Sequence, residues 1–147
     1  MKLLLGSDRV TAAKNIRIEL KAAFPGVKFS VTGRCFSGGD SIDVSWTDGP
    51  LAEEVNKITK KYQDGSFNGM EDIYEYNKDN SFTNAHGSAK YVQTHREMSD
   101  EARAVIIAKI EERTGKPFNM NYDYNEGKGG GAMWGSMLIY RYLVEAI

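Results

Sequence analysis

Few side chains here carry catalytic chemistry, and their spacing is as informative as their type. Gly127-Lys128-Gly129-Gly130-Gly131 sets a lysine among glycines, as phosphate-cradling loops do. Such a loop needs a preceding strand, a Ser or Thr after the lysine and a helix beyond it. Here Gly129 follows the lysine and an Asn/Tyr/Asp stretch precedes it, so a flexible loop is predicted, with Lys128 left as a candidate contact to a partner. A helix N-terminus after that loop would still offer free N–H groups to an anion. His86 and His95 stand nine residues apart, with no cysteine or carboxylate at a metal-ligand spacing. The triplet His95-Arg96-Glu97 holds an acid and a base but reads as a solvated strand edge. Cys35 beside a histidine would make a nucleophile pair; a buried or half-buried structural cysteine is the expectation instead. The carboxylates Asp40 and Asp43, or Glu71 and Asp72, sit at spacings common in loops. No catalytic set, metal site or cofactor site is read from these residues.

Binding chemistry is better represented. Phe36-Ser37-Gly38-Gly39-Asp40 joins two apolar runs, so Phe36 and Asp40 are candidate partner contacts on a loop, where binding residues concentrate. The alternative is a connection that needs glycine only for its backbone shape. Tyr122 and Tyr124, beside Asn119, Asn121 and Asn125, have the composition of an adaptable recognition surface. The same tyrosines can equally cover a small sheet with their rings and keep their hydroxyls wet. Lys14, Arg17 and Lys21 share one face of a helix and are candidate phosphate contacts, or else a solvated face.

These residues need elements to hold them. Ala13, Ile16, Leu20 and Phe24 recur at helical spacing, predicting a helix from about Thr11 to Phe24 with Asp8 or Thr11 as cap. Pro25-Gly26 stops it. Val27, Phe29 and Val31, then Ile42, Val44 and Trp46, alternate with polar residues and predict two strands with one dry face each. Gly33 to Gly39 is expected to connect them, a span longer than a tight turn. Pro50 opens a second helix with Leu51, Val55, Ile58 and Tyr62 as its stripe. The segment from Phe67 to Tyr76 reads as a loop or single turn over the core, and Asn77 to Ser88 as an exposed loop. Lys90 to Met98 reads as a third strand. Ser99-Asp100-Glu101 starts a helix lined by Ala102, Val105, Ile106 and Ile110, and Gly115 stops it. A polar loop from Asn119 to Gly131 precedes a terminal helix or strand. The predicted fold is α+β over one domain, residues 1–147. It is a two-layer sandwich: a small antiparallel sheet with helices packed on one face, in the order α-β-β-α-β-α plus the terminal element.

Composition narrows the function classes. Hydrophobic residues make up 41% and charged residues 27% of 147, which is globular. The net charge of −1 hides a polarity: residues 1–35 carry seven Lys/Arg against two Asp/Glu, and residues 36–84 carry four against ten. Neither a wholly basic nucleic-acid binder nor an acidic mimic of nucleic acid is indicated. With Cys35 the single cysteine, no intrachain disulfide can form, and a reducing, cytoplasmic setting is expected. Leu3-Leu4-Leu5 is too short for a signal-peptide core, and no apolar run approaches the length of a membrane span.

Three stretches fix a resemblance. They are Ala13-Lys14-Asn15-Ile16 through Val31, Phe36 through Pro50, and Gly65-Ser66-Phe67-Asn68-Gly69-Met70. In order and spacing they resemble a large-polyvalent-protein-associated domain of phages and conjugative elements, over roughly residues 10–100. The resemblance implies a protein delivered with, or carried by, mobile DNA. It implies a partner in the host's defence, such as a CRISPR or restriction complex, and transfers no catalytic residue. The alternative expectation is a nucleic-acid-binding accessory domain.

Overall fold

The computed structural model describes residues 2–124, together with 126, 134, 135, 137 and 139. The chain falls into two compact units, Met1–Glu97 and Met98–Ile147.

In the first unit, helix α1 spans Arg9–Ala23. Asp8 caps it, its Oδ1 accepting from the Thr11 N–H at 2.7 Å. Hydrogen bonds from the Thr11 side chain and backbone hold the Asp8 carboxyl below the usual carboxylate range. Ala13, Ile16 and Leu20 face the core, as the spacing predicts, with Phe24 partly buried; Ala12, outside the predicted stripe, is buried as well, and so are two polar residues. Asn15 is fully satisfied. Its Nδ2 donates to the carbonyls of Leu4 (2.9 Å) and His86 (2.8 Å), and its Oδ1 accepts from the Leu4 N–H at 2.7 Å. Glu19 accepts from the hydroxyl of Tyr62 and from Lys61 Nζ. Burial, and then the neighbouring Glu19, push the Tyr62 phenol well above its ordinary range, so it stays a donor.

Strand β1 (Ser30–Phe36) pairs antiparallel with β2 (Gly39–Thr47), and the register puts Val31 opposite Val44 and Phe36 opposite Gly39. The connection is therefore a two-residue turn, Ser37-Gly38, with Gly38 at φ 97°. The longer Gly33–Gly39 connection expected from sequence is strand over most of its length. Val27 and Phe29 precede the ladder and pack, half-buried, against the core. Helix α2 (Ala52–Thr59) follows, the Glu54 carboxylate accepting from the Leu51 N–H at 2.9 Å, and a single 3₁₀ turn, Lys60–Tyr62, extends it.

Residues 65–76, expected as a loop or single turn, form a hairpin of β3 (Gly65–Asn68) and β4 (Ile73–Tyr76). The stretch expected as an exposed loop contains the short helix α3 (Ser81–His86). Strand β5 (Tyr91–Glu97) then pairs parallel to β2, so the three-stranded sheet, in the order β1-β2-β5, is mixed rather than antiparallel. The α+β class and the helices on one face stand as expected. Ile42, Val44, Trp46, Val31 and Val92 pack with α1 and α2, while Thr32, Arg34, Phe36, Gln93 and His95 lie exposed on the other face.

In the second unit, α4 (Asp100–Thr114) starts at Ser99, whose Oγ accepts from Ala102 N–H at 3.1 Å, and ends at Gly115 with φ 68°. Ile106 and Ile110 are buried with Ile139, whereas Val105, expected in the same stripe, is exposed. Apart from residues 134, 135, 137 and 139, the terminal element expected from about Ala132 lies outside the described residues, as does Lys128. No helix among the described residues is long and apolar enough to cross a membrane.

Candidate partner-binding surface

The helix-free face of the first unit's sheet ends in a row of rings. Phe36 closes β1 opposite Gly39, and Tyr91 opens β5 opposite Ser41. The two rings lie near-parallel, centroids 6.3 Å apart at 23°, and the Lys90 stem lies over Gly39, where an added Cβ would stand 2.7 Å from its Cδ. Tyr91 meets Tyr74 of the hairpin edge-on at 5.6 Å, and Tyr74 meets Tyr76 the same way at 5.0 Å. Lys90 Nζ stands 5.0 Å from the Tyr74 ring centre and 5.8 Å from that of Tyr91, and donates to the Gly38 carbonyl at 2.8 Å. Asp40 fixes the base of this arrangement: its Oδ1 accepts from the Lys90 N–H at 2.8 Å. Phe36 and Tyr76 remain 43% and 64% exposed, so the row is accessible at both ends.

The hairpin owes its attachment to Tyr74. Its hydroxyl lies 2.8 Å from Asp64 Oδ1 and 2.6 Å from the Lys90 carbonyl. Burial and the adjacent Asp64 carboxylate raise the Tyr74 phenol far above its ordinary range, so it remains a donor. Its ring fills the space over Gly65, where an added Cβ would stand 2.6 Å from the ring. At the tip, Asn68 Oδ1 accepts from the N–H groups of Met70 (3.0 Å) and Glu71 (3.3 Å), and its Nδ2 donates to Glu75 Oε1 at 3.0 Å. This ordered tip leaves Met70 99% exposed, with Phe67 and Ile73 also largely in solvent.

Of the residues singled out by sequence, Phe36 and Asp40 belong to this surface. Lys14, Arg17 and Lys21 are exposed on α1. Arg17 donates to the Val31 carbonyl, blunting the free edge of β1. With Lys21 it rims a depression of about 310 Å³ floored by Leu20, Phe24, Val27 and Phe29. Tyr122 and Tyr124, in the second unit, meet edge-on at 4.9 Å. Their hydroxyls are engaged locally: Tyr122 with Lys116 Nζ and Glu126 Oε1, Tyr124 with the Asn119 N–H and the Pro117 carbonyl.

The nucleophile and acid–base candidates are dispersed but for one pair, His95 Nε2 and Asp43 Oδ1, which lie 3.7 Å apart on the helix-free face. Cys35 is exposed on β1, not half-buried as expected, because the edge strand runs past the cover of the core; Arg9 donates to its sulfur. It registers with Asp40, whereas His95 registers with Ser45, about 16 Å along the same strand. His86 sits at the end of α3, its Nδ1 3.1 Å from the Leu4 carbonyl and its ring against Phe82. Among the described residues no three His, Cys, Asp or Glu side chains are grouped to hold a metal ion.

Tyr74, Tyr76, Lys90, Tyr91 and Met70 escape the sequence reading. Asn68-Gly69 is a turn signal, and Ile73-Tyr74-Glu75-Tyr76 is followed by polar residues in the manner of a short strand, so the hairpin had a local signature. A model of the family described as large polyvalent protein associated domain 29 matches residues 8–99. No curated protein matches the chain, and no solved structure does.

Proposed function

The chain belongs to this family of domains associated with polyvalent proteins of phages and mobile elements, and on that premise we propose that it is a non-catalytic anti-defence protein. It acts in the cytoplasm of the host cell by binding a component of a defence system, such as a CRISPR or restriction complex. The observation that carries the reading is the accessible row Phe36–Tyr91–Tyr74–Tyr76, together with the exposed apolar tip of the same hairpin. Exposed aromatic anchors on a rigid sheet are what protein interfaces are built from. Affinity purification from a host expressing several defence systems tests it: a defence component is expected in the eluate, and recovery of none removes the reading. Alanine at Cys35, His86 and His95 is expected to leave phage protection unchanged, and a loss at any of them would restore an enzymatic reading.

A second reading, a nucleic-acid-binding accessory domain, is favoured by one feature. The depression beside α1 joins two cations, Arg17 and Lys21, to two aromatic rings, Phe24 and Phe29. Phosphate contacts would make binding fall steeply with salt. A gel shift at low salt with single- and double-stranded DNA and RNA decides it, and the absence of any shift removes it.

A further inference from the structure

The β3–β4 hairpin spends unusual means on presenting apolar side chains to water. Two four-residue strands are too short to stand alone. Tyr74 therefore holds the ribbon to the body through Asp64, Lys90, Gly65 and Tyr91. Asn68 orders the tip with two accepted N–H bonds and one donated bond. The order so obtained keeps Met70 99% exposed and Phe67 55% exposed. A core role would bury these side chains, and a plain solvated turn would be polar. The charge around them has one sign: between residues 64 and 79 stand Asp64, Glu71, Asp72, Glu75 and Asp79 against Lys78 alone. Asp64, Glu75 and Asp79 are spent on local hydrogen bonds, and Glu71 and Asp72 directly follow Met70 on the exposed tip.

Resting on the binding function proposed above, we infer that this hairpin tip is the part that enters the partner. Its occupant is a protein pocket of apolar lining with lysine and arginine around its rim. Met70 fills the pocket, and Glu71 and Asp72 meet the rim cations. An ordered tip loses little conformational freedom on docking, which favours affinity. The acidic rim also repels nucleic acid, so the phosphate-binding reading belongs to a different surface.

A photo-cross-linking amino acid in place of Met70, and separately in place of Lys21 on α1, tests the inference in a host expressing the defence systems. The expected result is a cross-link from position 70, and none from position 21, to a partner segment rich in apolar and Lys/Arg residues. Glu71→Lys with Asp72→Asn, which leaves the hairpin's anchoring residues intact, should lower its yield about tenfold or more. The inference is overturned by a cross-link from position 21 alone, which leaves the proposed function standing. It is equally overturned if position 70 links to an acidic segment, to nucleic acid or to a second copy of this chain, or if the charge change leaves the yield unaltered. No cross-link from either position removes the inference and the proposed function together.

Discussion

The Tyr74 hydroxyl lies 2.6 Å from the carbonyl oxygen of Lys90, and this contact ties the hairpin to the sheet. It joins residues sixteen apart in sequence, and the same hydroxyl meets Asp64 Oδ1 at 2.8 Å. Tyr74→Phe keeps the ring contacts and removes only these bonds. The expected loss is about 1–2 kcal/mol of hairpin attachment. Amide exchange should accelerate at Ser66 and Glu75 while Val44, in the core, keeps its protection.

Asn15 has a comparable role on the other side of the sheet. Asn15→Leu leaves the Leu4 N–H and the carbonyls of Leu4 and His86 without their partner. A destabilisation of about 3 kcal/mol is expected from the denaturant midpoint. Residues 2–7 should become sensitive to protease under conditions in which α1 still resists.

Gly87 and Gly115 both have positive φ, 95° and 68°, but differ in what surrounds them. An added Cβ at Gly87 would stand 2.3 Å from the Ala12 nitrogen and 2.6 Å from the Asp8 carbonyl oxygen, while at Gly115 nothing lies within 4 Å. Gly87→Ala should cost about 3 kcal/mol or more, and Gly115→Ala about 1 kcal/mol, the strain of the left-handed backbone. Thermal melts of the two variants check the ordering, and equal losses would contradict the close approach of Gly87 to α1.

The Asp8 cap gives a pH dependence with a definite sign. Its folded carboxyl titrates below the unfolded value, so its contribution is complete above the ordinary carboxylate range and disappears as pH falls through the folded value. Asp8→Ala is therefore expected to melt earlier than the parent at neutral pH. The two curves should converge once the pH falls below the titration of the folded Asp8 carboxyl.

The helices that begin and end on local chemistry were legible in the sequence. Asp8 and Ser99 accept from the first-turn N–H groups, and Gly115 takes the left-handed stop. Strand β2 was legible because Ile42, Val44 and Trp46 alternate over a buried face. The hairpin's own signal, Asn68-Gly69 before Ile73–Tyr76, was outweighed by a competing pattern. Phe67, Met70, Ile73 and Tyr76 recur every three residues and imitate a helix face, whereas the partners that hold the ribbon, Lys90 and Tyr91, are distant in sequence. The direction of β5 was not legible, since its pairing with β2 has no local signature. Of the candidate surface, Phe36 and Asp40 were marked by the glycines beside them. The rest of the ring row exists only once β1, β5 and the hairpin bring Phe36, Tyr91, Tyr74 and Tyr76 together.

Parallel pairing of β2 with β5 obliges the chain to travel back from one end of the sheet to the other between them. Helix α2 covers that return, and the hairpin is carried on the same journey as an appendage whose removal leaves every strand of the larger sheet its neighbour. Such an appendage can lengthen, shorten or change sequence at little risk to the scaffold, which frees its tip to vary independently of the fold.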